Sequence, residues 1–209
     1  NLSGGQKQRL SIARTLSKGS KIILFDEATS ALDNKSQEYI KKTIDNLVKD
    51  HTIVIVAHRL STIIDADIIF VVDNGKVVSS GTHNELLKTS DIVSIHCPLN
   101  EQTKGLIGEE SFKLMKKEAI LINVGRGGIV DEEALVEALQ NNEIAGAGLD
   151  VFEREPLAKE SPLLQINDAS KLLMTPHIAW ATVEARNRLF DLVVDNIQGF
   201  LKGDLKNVC

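Results

Sequence analysis

Glu85-Leu86-Leu87-Lys88-Thr89-Ser90 divides this chain of 209 residues. The stretch closes a short helix predicted over 83–88. It runs straight into Asp91-Ile92-Val93-Ser94-Ile95, an apolar run of the buried-strand type. No Gly-, Ser- or Pro-rich linker separates the two. A helix feeding directly into a buried strand is how parallel strands are connected. The pattern on both sides is the same: short apolar strands alternating with amphipathic helices. It predicts an α/β protein with a mostly parallel sheet and flanking helices.

Upstream of the seam, the chain opens with Leu2-Ser3-Gly4-Gly5-Gln6. Ser3 can cap a helix over 5–17, and Gly4 and Gly5 let a backbone approach a ligand closely. A helix N-terminus behind small residues suits an anion, although a plain capped helix has the same sequence. Ile22-Ile23-Leu24-Phe25 reads as a buried strand ending in Asp26-Glu27. In open α/β sheets ligands sit at that end, so Asp26 is a candidate for a magnesium shell and Glu27 for polarising a water. The alternative is a strand end with two solvated acids. A helix over 35–48 should turn Ile40, Ile44, Leu47 and Val48 inward, and a strand over 52–57 delivers His58. Strands over 68–72 and 76–79, joined by Asn74-Gly75, form a hairpin signature.

Downstream, the strand over 91–95 is followed by His96-Cys97-Pro98. Short helices are expected over 101–107 and 110–115. A strand over 118–123 ends in Val124-Gly125-Arg126-Gly127-Gly128, where an Arg between glycines is placed to grip a carboxylate. A helix over 132–141 and a strand over 145–151 follow, the strand ending near Asp150. Glu155 precedes Pro156, and a strand over 172–175 carries Pro176-His177 at its tip. The last helix, over 182–201, should bury Leu189, Leu192, Val193, Ile197 and Phe200. Arg126, Glu155 and His177 thus all fall at or just past strand ends. An acid beside a His orients its ring, a His so held passes protons, and an Arg binds a carboxylate and polarises a carbonyl. That set suits 2-hydroxy acid/2-keto acid redox chemistry with a nicotinamide hydride.

The upstream half resembles the ATPase subunit of exporter-like ABC transporters over residues 1–88. Leu2 to Gln6 match its signature motif, Ile22 to Glu27 its Walker B strand, Ser30-Ala31-Leu32-Asp33 its D-loop and Ala57-His58-Arg59 its switch histidine. The resemblance implies ATP and magnesium, with Asp26 on the metal, Glu27 activating water and His58 at the γ-phosphate. Ser3, Gly4 and Gly5 would close on ATP bound to a second nucleotide-binding subunit. The phosphate loop G-x-x-x-x-G-K-[ST] is not in this sequence. The downstream half, residues 86–209, resembles the C-terminal part of NAD-dependent D-2-hydroxyacid dehydrogenases. The run Thr175-Pro176-His177-Ile178-Ala179-Trp180-Ala181 is most like the glycerate (hydroxypyruvate) branch. That resemblance implies His177 as acid/base, Glu155 as its partner and Arg126 as the carboxylate and carbonyl ligand. Asp150 would hold the nicotinamide carboxamide, and His96, Pro98, Val124 and Gly125 would line NAD. The G-x-G-x-x-G of that family is not present either.

The expected organisation is therefore a chimera. Residues 1–88 form a partial ATPase domain and residues 89–209 a partial Rossmann domain with a C-terminal helix. Direct continuity at the seam favours one hybrid P-loop-like/Rossmann-like sheet; the rival is two lobes, each exposing apolar sheet. Three readings of function remain open: an NAD-linked oxidoreductase of reduced or no turnover, a fragment of an ABC-type ATPase, and an inactive structural chimera. The formal net charge of −5, about +2 over residues 1–90 and −7 over residues 91–209, does not suggest nucleic acid. No apolar run is long enough to span a membrane. Two cysteines make neither a disulfide framework nor a metal site, and without a secretory signal the cytoplasm is the default. The absence of an initiator Met gives the chain the look of a fragment. A small 2-hydroxy or 2-keto acid is the expected partner, in a homo-oligomer.

Overall fold

The computed structural model describes residues 4–26, 34–56 and 63–204. The chain divides into two compact units, residues 1–86 and 87–209. The division falls inside the seam helix, two residues before the expected boundary.

In the first unit, α1 (Gly4–Leu16) and α2 (Asn34–Leu47) accompany β1 (Ile22–Asp26) and β2 (Thr52–Val56). The two strands pair in parallel, Ile22 to Thr52 through Asp26 to Val56. Strand alternation puts Ile23 and Phe25 on one face, where they meet Ile12, Ile40 and Ile44 in a small core. Ile22, Leu24, Val54 and Val56 on the other face are exposed. Ile40 and Ile44 are inward as expected, whereas Val48 is exposed because α2 ends at Leu47. β3 (Ile69–Asp73) and β4 (Lys76–Gly81) form an antiparallel hairpin. Asn74 and Gly75, with φ of 47° and 75°, supply the left-handed turn that this two-residue loop demands. Thr82 and Glu85 then start α3 (His83–Thr89) with a capping box. The Thr82 N–H donates to Glu85 Oε2 (2.8 Å) and the Glu85 N–H to Thr82 Oγ1 (3.3 Å).

The second unit is a four-stranded parallel sheet in the order β5 (Ile92–Ile95), β6 (Ile120–Asn123), β7 (Gly146–Leu149), β8 (Leu172–Met174). Its crossovers carry α4 (Glu109–Leu114), α5 (Glu132–Gln140) and two 3-10 turns (Pro162–Gln165, Ala169–Lys171). Asp131 caps α5 by accepting the N–H groups of Glu133 and Ala134, both at 3.0 Å. Phe112, Leu121, Ile129, Leu135, Leu139 and Ile144 make the centre of a continuous core. The strands end in register: Ile95 pairs with Asn123, Asn123 with Leu149 and Leu149 with Met174. Because all four run parallel, the residues that follow them leave one edge together.

Three expectations change. Among the described residues no ladder joins β1–β4 to β5–β8, so the hybrid sheet is not formed. The hairpin pairs its strands with each other, and β5 pairs with β6. Residues 101–107 are turns rather than a helix. Thr103 ties that stretch down, its hydroxyl donating to Pro98 O (2.7 Å) and accepting the Asn100 N–H (2.9 Å). Finally, α6 (Val183–Lys202) forms between a Thr182 N-cap and a left-handed Gly203 C-cap. Its apolar face is not buried: Leu189, Leu192, Val193, Ile197 and Phe200 are all exposed. The two caps satisfy backbone groups at its ends, and Gly199 is its one buried residue among those described.

Candidate functional site

Each strand of the second unit delivers one part of the site. β5 leads into His96-Cys97-Pro98, β6 into Val124-Gly125-Arg126, β7 into Asp150 and β8 into Thr175-Pro176-His177. His96, Cys97, Pro98, Leu99, Val124, Gly125 and Arg126 line an open cavity of about 650 Å3. Its floor is tight. A Cβ on Gly125 would lie 3.0 Å from the Cys97 carbonyl oxygen. His96 Nε2 lies 2.8 Å from Ser94 Oγ. Burial pushes the Cys97 thiol up, its backbone hydrogen bond opposing, which disfavours the thiolate.

His177 and Glu155 meet directly, with Nδ1 2.8 Å from Oε2. The other carboxylate oxygen, Oε1, accepts the Phe152 N–H at 3.1 Å. Glu155 is held below the usual carboxylate range, first by the His177 hydrogen bond and next by the Phe152 N–H. Desolvation opposes them, and the charges of His177 and Arg126 add to the lowering. The Arg126 charge thus reaches the pair, although its own hydrogen bond is Nη1 to the Gly125 carbonyl, 2.9 Å. Among the described residues it engages no other acceptor, which leaves four of its five N–H donors for a ligand.

Asp150 is buried and committed to the turn that bears His177. Its Oδ1 accepts the Thr175 hydroxyl (2.6 Å) and the Ile178 N–H (2.8 Å), and Oδ2 accepts the Ala179 N–H (2.7 Å). Burial alone would raise its pKa. These three donors and the His177 charge outweigh that and leave it lowered. Oδ1 is saturated, so the expected carboxamide contact has at most one lone pair on Oδ2.

Sequence reasoning missed the residues that brace this set. Asn123 is buried, and its side chain spans the Arg126 loop. Nδ2 donates to the Arg126 carbonyl (3.0 Å) and Oδ1 accepts the Gly125 N–H (3.1 Å). A polar residue ending an otherwise apolar strand was the available signal. Gly127 sits so close to Phe152 that a Cβ would lie 1.7 Å from its carbonyl oxygen. Trp180 donates its indole N–H to the His177 carbonyl at 2.7 Å.

Of the candidates in the first unit, Ser3, Glu27 and His58 lie outside the described residues, as does the D-loop match. Gly4 and Gly5 open α1, and Asp26 ends β1 as an exposed residue paired in the ladder with Val56. Among the described residues no cluster of three His, Cys, Asp or Glu could hold a metal ion. No helix among them is long and apolar enough to cross a membrane.

Known proteins bear on both halves. The family model "D-isomer specific 2-hydroxyacid dehydrogenase, NAD binding domain" matches residues 71–179, beginning in the hairpin rather than at the seam. A model of the ABC transporter family matches residues 1–30. Glycerate dehydrogenase of Methylorubrum extorquens is 47% identical over 123 residues, 59% of this chain and 39% of that protein. Glyoxylate/hydroxypyruvate reductase B of Cronobacter sakazakii is 50% identical over 124 residues, 59% of this chain and 37% of its own length. The chain therefore spans well under half the length of these relatives. Among solved structures, the NAD-complexed D-isomer specific 2-hydroxyacid dehydrogenase of Lactobacillus delbrueckii ssp. bulgaricus matches with a TM-score of 0.54. It shares 25% identity, covering 94% of this chain and 50% of that one. With a family model covering just over half its length and a parallel sheet that brings His, Glu and Arg to one edge, the chain belongs to the D-isomer specific 2-hydroxyacid dehydrogenase NAD-binding domain family.

Proposed function

We propose that residues 87–209 are the catalytic, nicotinamide-facing part of an NAD-dependent D-2-hydroxyacid dehydrogenase of the glycerate/hydroxypyruvate kind. The N-terminal part, matched to the ABC transporter family over residues 1–30, derives in this reading from an ABC-type ATPase subunit, which makes the chain a chimera. The observation that carries the reading is the His177–Glu155 pair, 2.8 Å apart, at the same sheet edge as Arg126. The cavity suits the cofactor's nicotinamide end: Pro98, Leu99 and Val124 offer apolar walls for a flat ring, and His96 and Arg126 offer polar groups.

When bound, the nicotinamide supplies or accepts the hydride at C2 of the substrate. The protein's own residues do the rest. Arg126 binds the substrate carboxylate through its remaining donors and polarises the adjacent carbonyl. Glu155 accepts from His177 Nδ1, which leaves Nε2 toward the substrate oxygen. During reduction His177 Nε2 gives its proton to that oxygen, and Glu155 stabilises the imidazolium before transfer. During oxidation the proton returns to Nε2. Removing such a group costs about 10²- to 10⁴-fold.

We infer slow turnover for these 209 residues taken by themselves, which contain no G-x-G-x-x-G to cradle a pyrophosphate. The second reading, an ABC-type ATPase partner acting with another nucleotide-binding subunit through Ser3, Gly4, Gly5, Asp26, Glu27 and His58, is favoured by the match over residues 1–30. Two parallel assays separate the readings: NADH oxidation with hydroxypyruvate, and phosphate release from ATP and magnesium. Hydroxypyruvate-dependent oxidation without phosphate release supports the dehydrogenase. Phosphate release alone supports the transporter-derived reading and ends the first.

A further inference from the structure

His177 carries the proposed chemistry from an unfavourable backbone. Its φ is 54°, in the left-handed region that side chains other than glycine adopt rarely. Such a conformation persists only where its surroundings over-determine it. Asp150 supplies part of that constraint, holding Thr175, Ile178 and Ala179 on either side of His177. The His177 N–H itself donates to the Thr175 carbonyl at 3.0 Å. The His177 carbonyl has a side-chain partner of its own. Trp180 provides it: the indole N–H reaches that oxygen at 2.7 Å while the ring remains 55% exposed. With the ring this exposed, the indole N–H to the His177 carbonyl is the specific contact that Trp180 makes in this turn.

We propose that Trp180 is a positioning residue for the proton-transfer site, its indole N–H pinning the left-handed His177 so that Nδ1 stays on the Glu155 carboxylate. The inference rests on the assignment of His177 made above and adds a residue to it. Asp150 fixes the turn's N–H groups and hydroxyl; Trp180 fixes its carbonyl. With that carbonyl released, the turn relaxes toward ordinary backbone and the imidazole leaves Glu155. A hydrogen bond of this kind is worth about a two- to tenfold preference for the pinned conformer.

The test needs no turnover. Glu155 is held below the ordinary carboxylate range chiefly by the His177 hydrogen bond, so its own titration reports the pairing. The carboxyl carbon of Glu155 is followed by 13C NMR against pH in the full chain, assigned with Glu155→Gln. Three forms are compared with the parent: Trp180→Phe, the 3-benzothienylalanine isostere at 180, which replaces N–H with sulfur at nearly constant shape, and 7-azatryptophan at 180, which keeps the N–H. The Glu155 midpoint should rise toward the ordinary carboxylate value in the first two and stay at the parent value in the third. An unchanged midpoint in the folded isostere overturns the proposal. So does a lowered thermal midpoint without a titration shift, which would make Trp180 a packing residue only. An equal rise in the 7-azatryptophan form also overturns it. A chain inactive in the NADH assay can still show the shift, so the two claims fail separately.

Discussion

Gly127→Ala is the sharpest structural perturbation the site offers. The new Cβ would stand 1.7 Å from the Phe152 carbonyl oxygen, 1.9 Å from its carbon and 2.5 Å from the Glu153 nitrogen. Ordinary carbon contacts lie near 3.5 Å, so the two loops must part by roughly 1.5 Å. The obstructing atoms are backbone, and no rotamer change can relieve them. Both sides are also anchored: Asn123 holds the Arg126 carbonyl, the Phe152 N–H donates to Glu155, and the Glu153 N–H donates to Glu132 Oε1 at 2.7 Å. Overpacking costs about 1–3 kcal/mol where side chains can yield; this rigid case belongs at about 3 kcal/mol. With a urea m-value of about 1–3 kcal/mol/M, the denaturation midpoint should fall by about 1–3 M. Because Trp180 is the chain's one tryptophan and lies in the second unit, its fluorescence reads that unit directly. Gly148→Ala is the control, since its Cβ would meet nothing within 4 Å. Separating the loops also moves Arg126 from Glu155, and a misplacement of about 1 Å costs about 10²-fold in rate. If Gly127→Ala melts with Gly148→Ala and the parent, the packing of these loops is not as described.

Further predictions follow from the same network. Asp150→Asn should lose about 2–3 kcal/mol near neutral pH, the scale of hydrogen bonds to a buried charge. Because the Asp150 pKa is depressed in the folded state, that contribution is present above the unfolded value of 3.8 and is lost as pH falls through the folded pKa. The gap between parent and variant in urea midpoint should therefore shrink below about pH 4; a gap constant with pH would remove the charge from the explanation. Asn123→Ala leaves the Gly125 N–H and the Arg126 carbonyl without their partner and should cost about 1–3 kcal/mol. Urea denaturation reads it, and a neutral result would mean the loop is held elsewhere. Phe112→Ala empties the centre of the second core and should cost about 3–5 kcal/mol, read as a lower urea midpoint by Trp180 fluorescence; an unchanged midpoint would remove Phe112 from that core.

The sequence made local features legible and left long-range ones hidden. Period-2 and period-3.6 patterns placed nearly every strand and helix, and the Asn74-Gly75 turn announced its hairpin. His177, Glu155 and Arg126 were readable because each follows a strand, and parallel strands bring their ends to one edge. Residues 101–107 have a helix-compatible composition, but the Thr103 hydroxyl bonds Pro98 and Asn100 and holds the stretch as turns, which composition does not reveal. Burial of α6 was expected from its apolar stripe, but a stripe shows only that a face could be buried, not that a partner covers it. The hybrid sheet failed for a related reason: continuity of chain at the seam does not decide which strand edges pair. Asn123 was signalled only as a polar end to an apolar strand, and Trp180 only as a large residue three positions past His177. Gly127 could not be weighed at all, since the Phe152 backbone it abuts is brought near only by the fold.

In the proposed reaction His177, held by Glu155, transfers the proton in a nicotinamide-dependent reduction of a 2-keto acid. The most direct measurement is NADH oxidation with hydroxypyruvate at saturating cofactor, parent against His177→Gln, with both forms shown to melt alike. The account predicts a slow rate in the parent that falls by about 10²- to 10⁴-fold in the variant. Equal rates in the two forms, or no hydroxypyruvate-dependent oxidation by the parent, would contradict it.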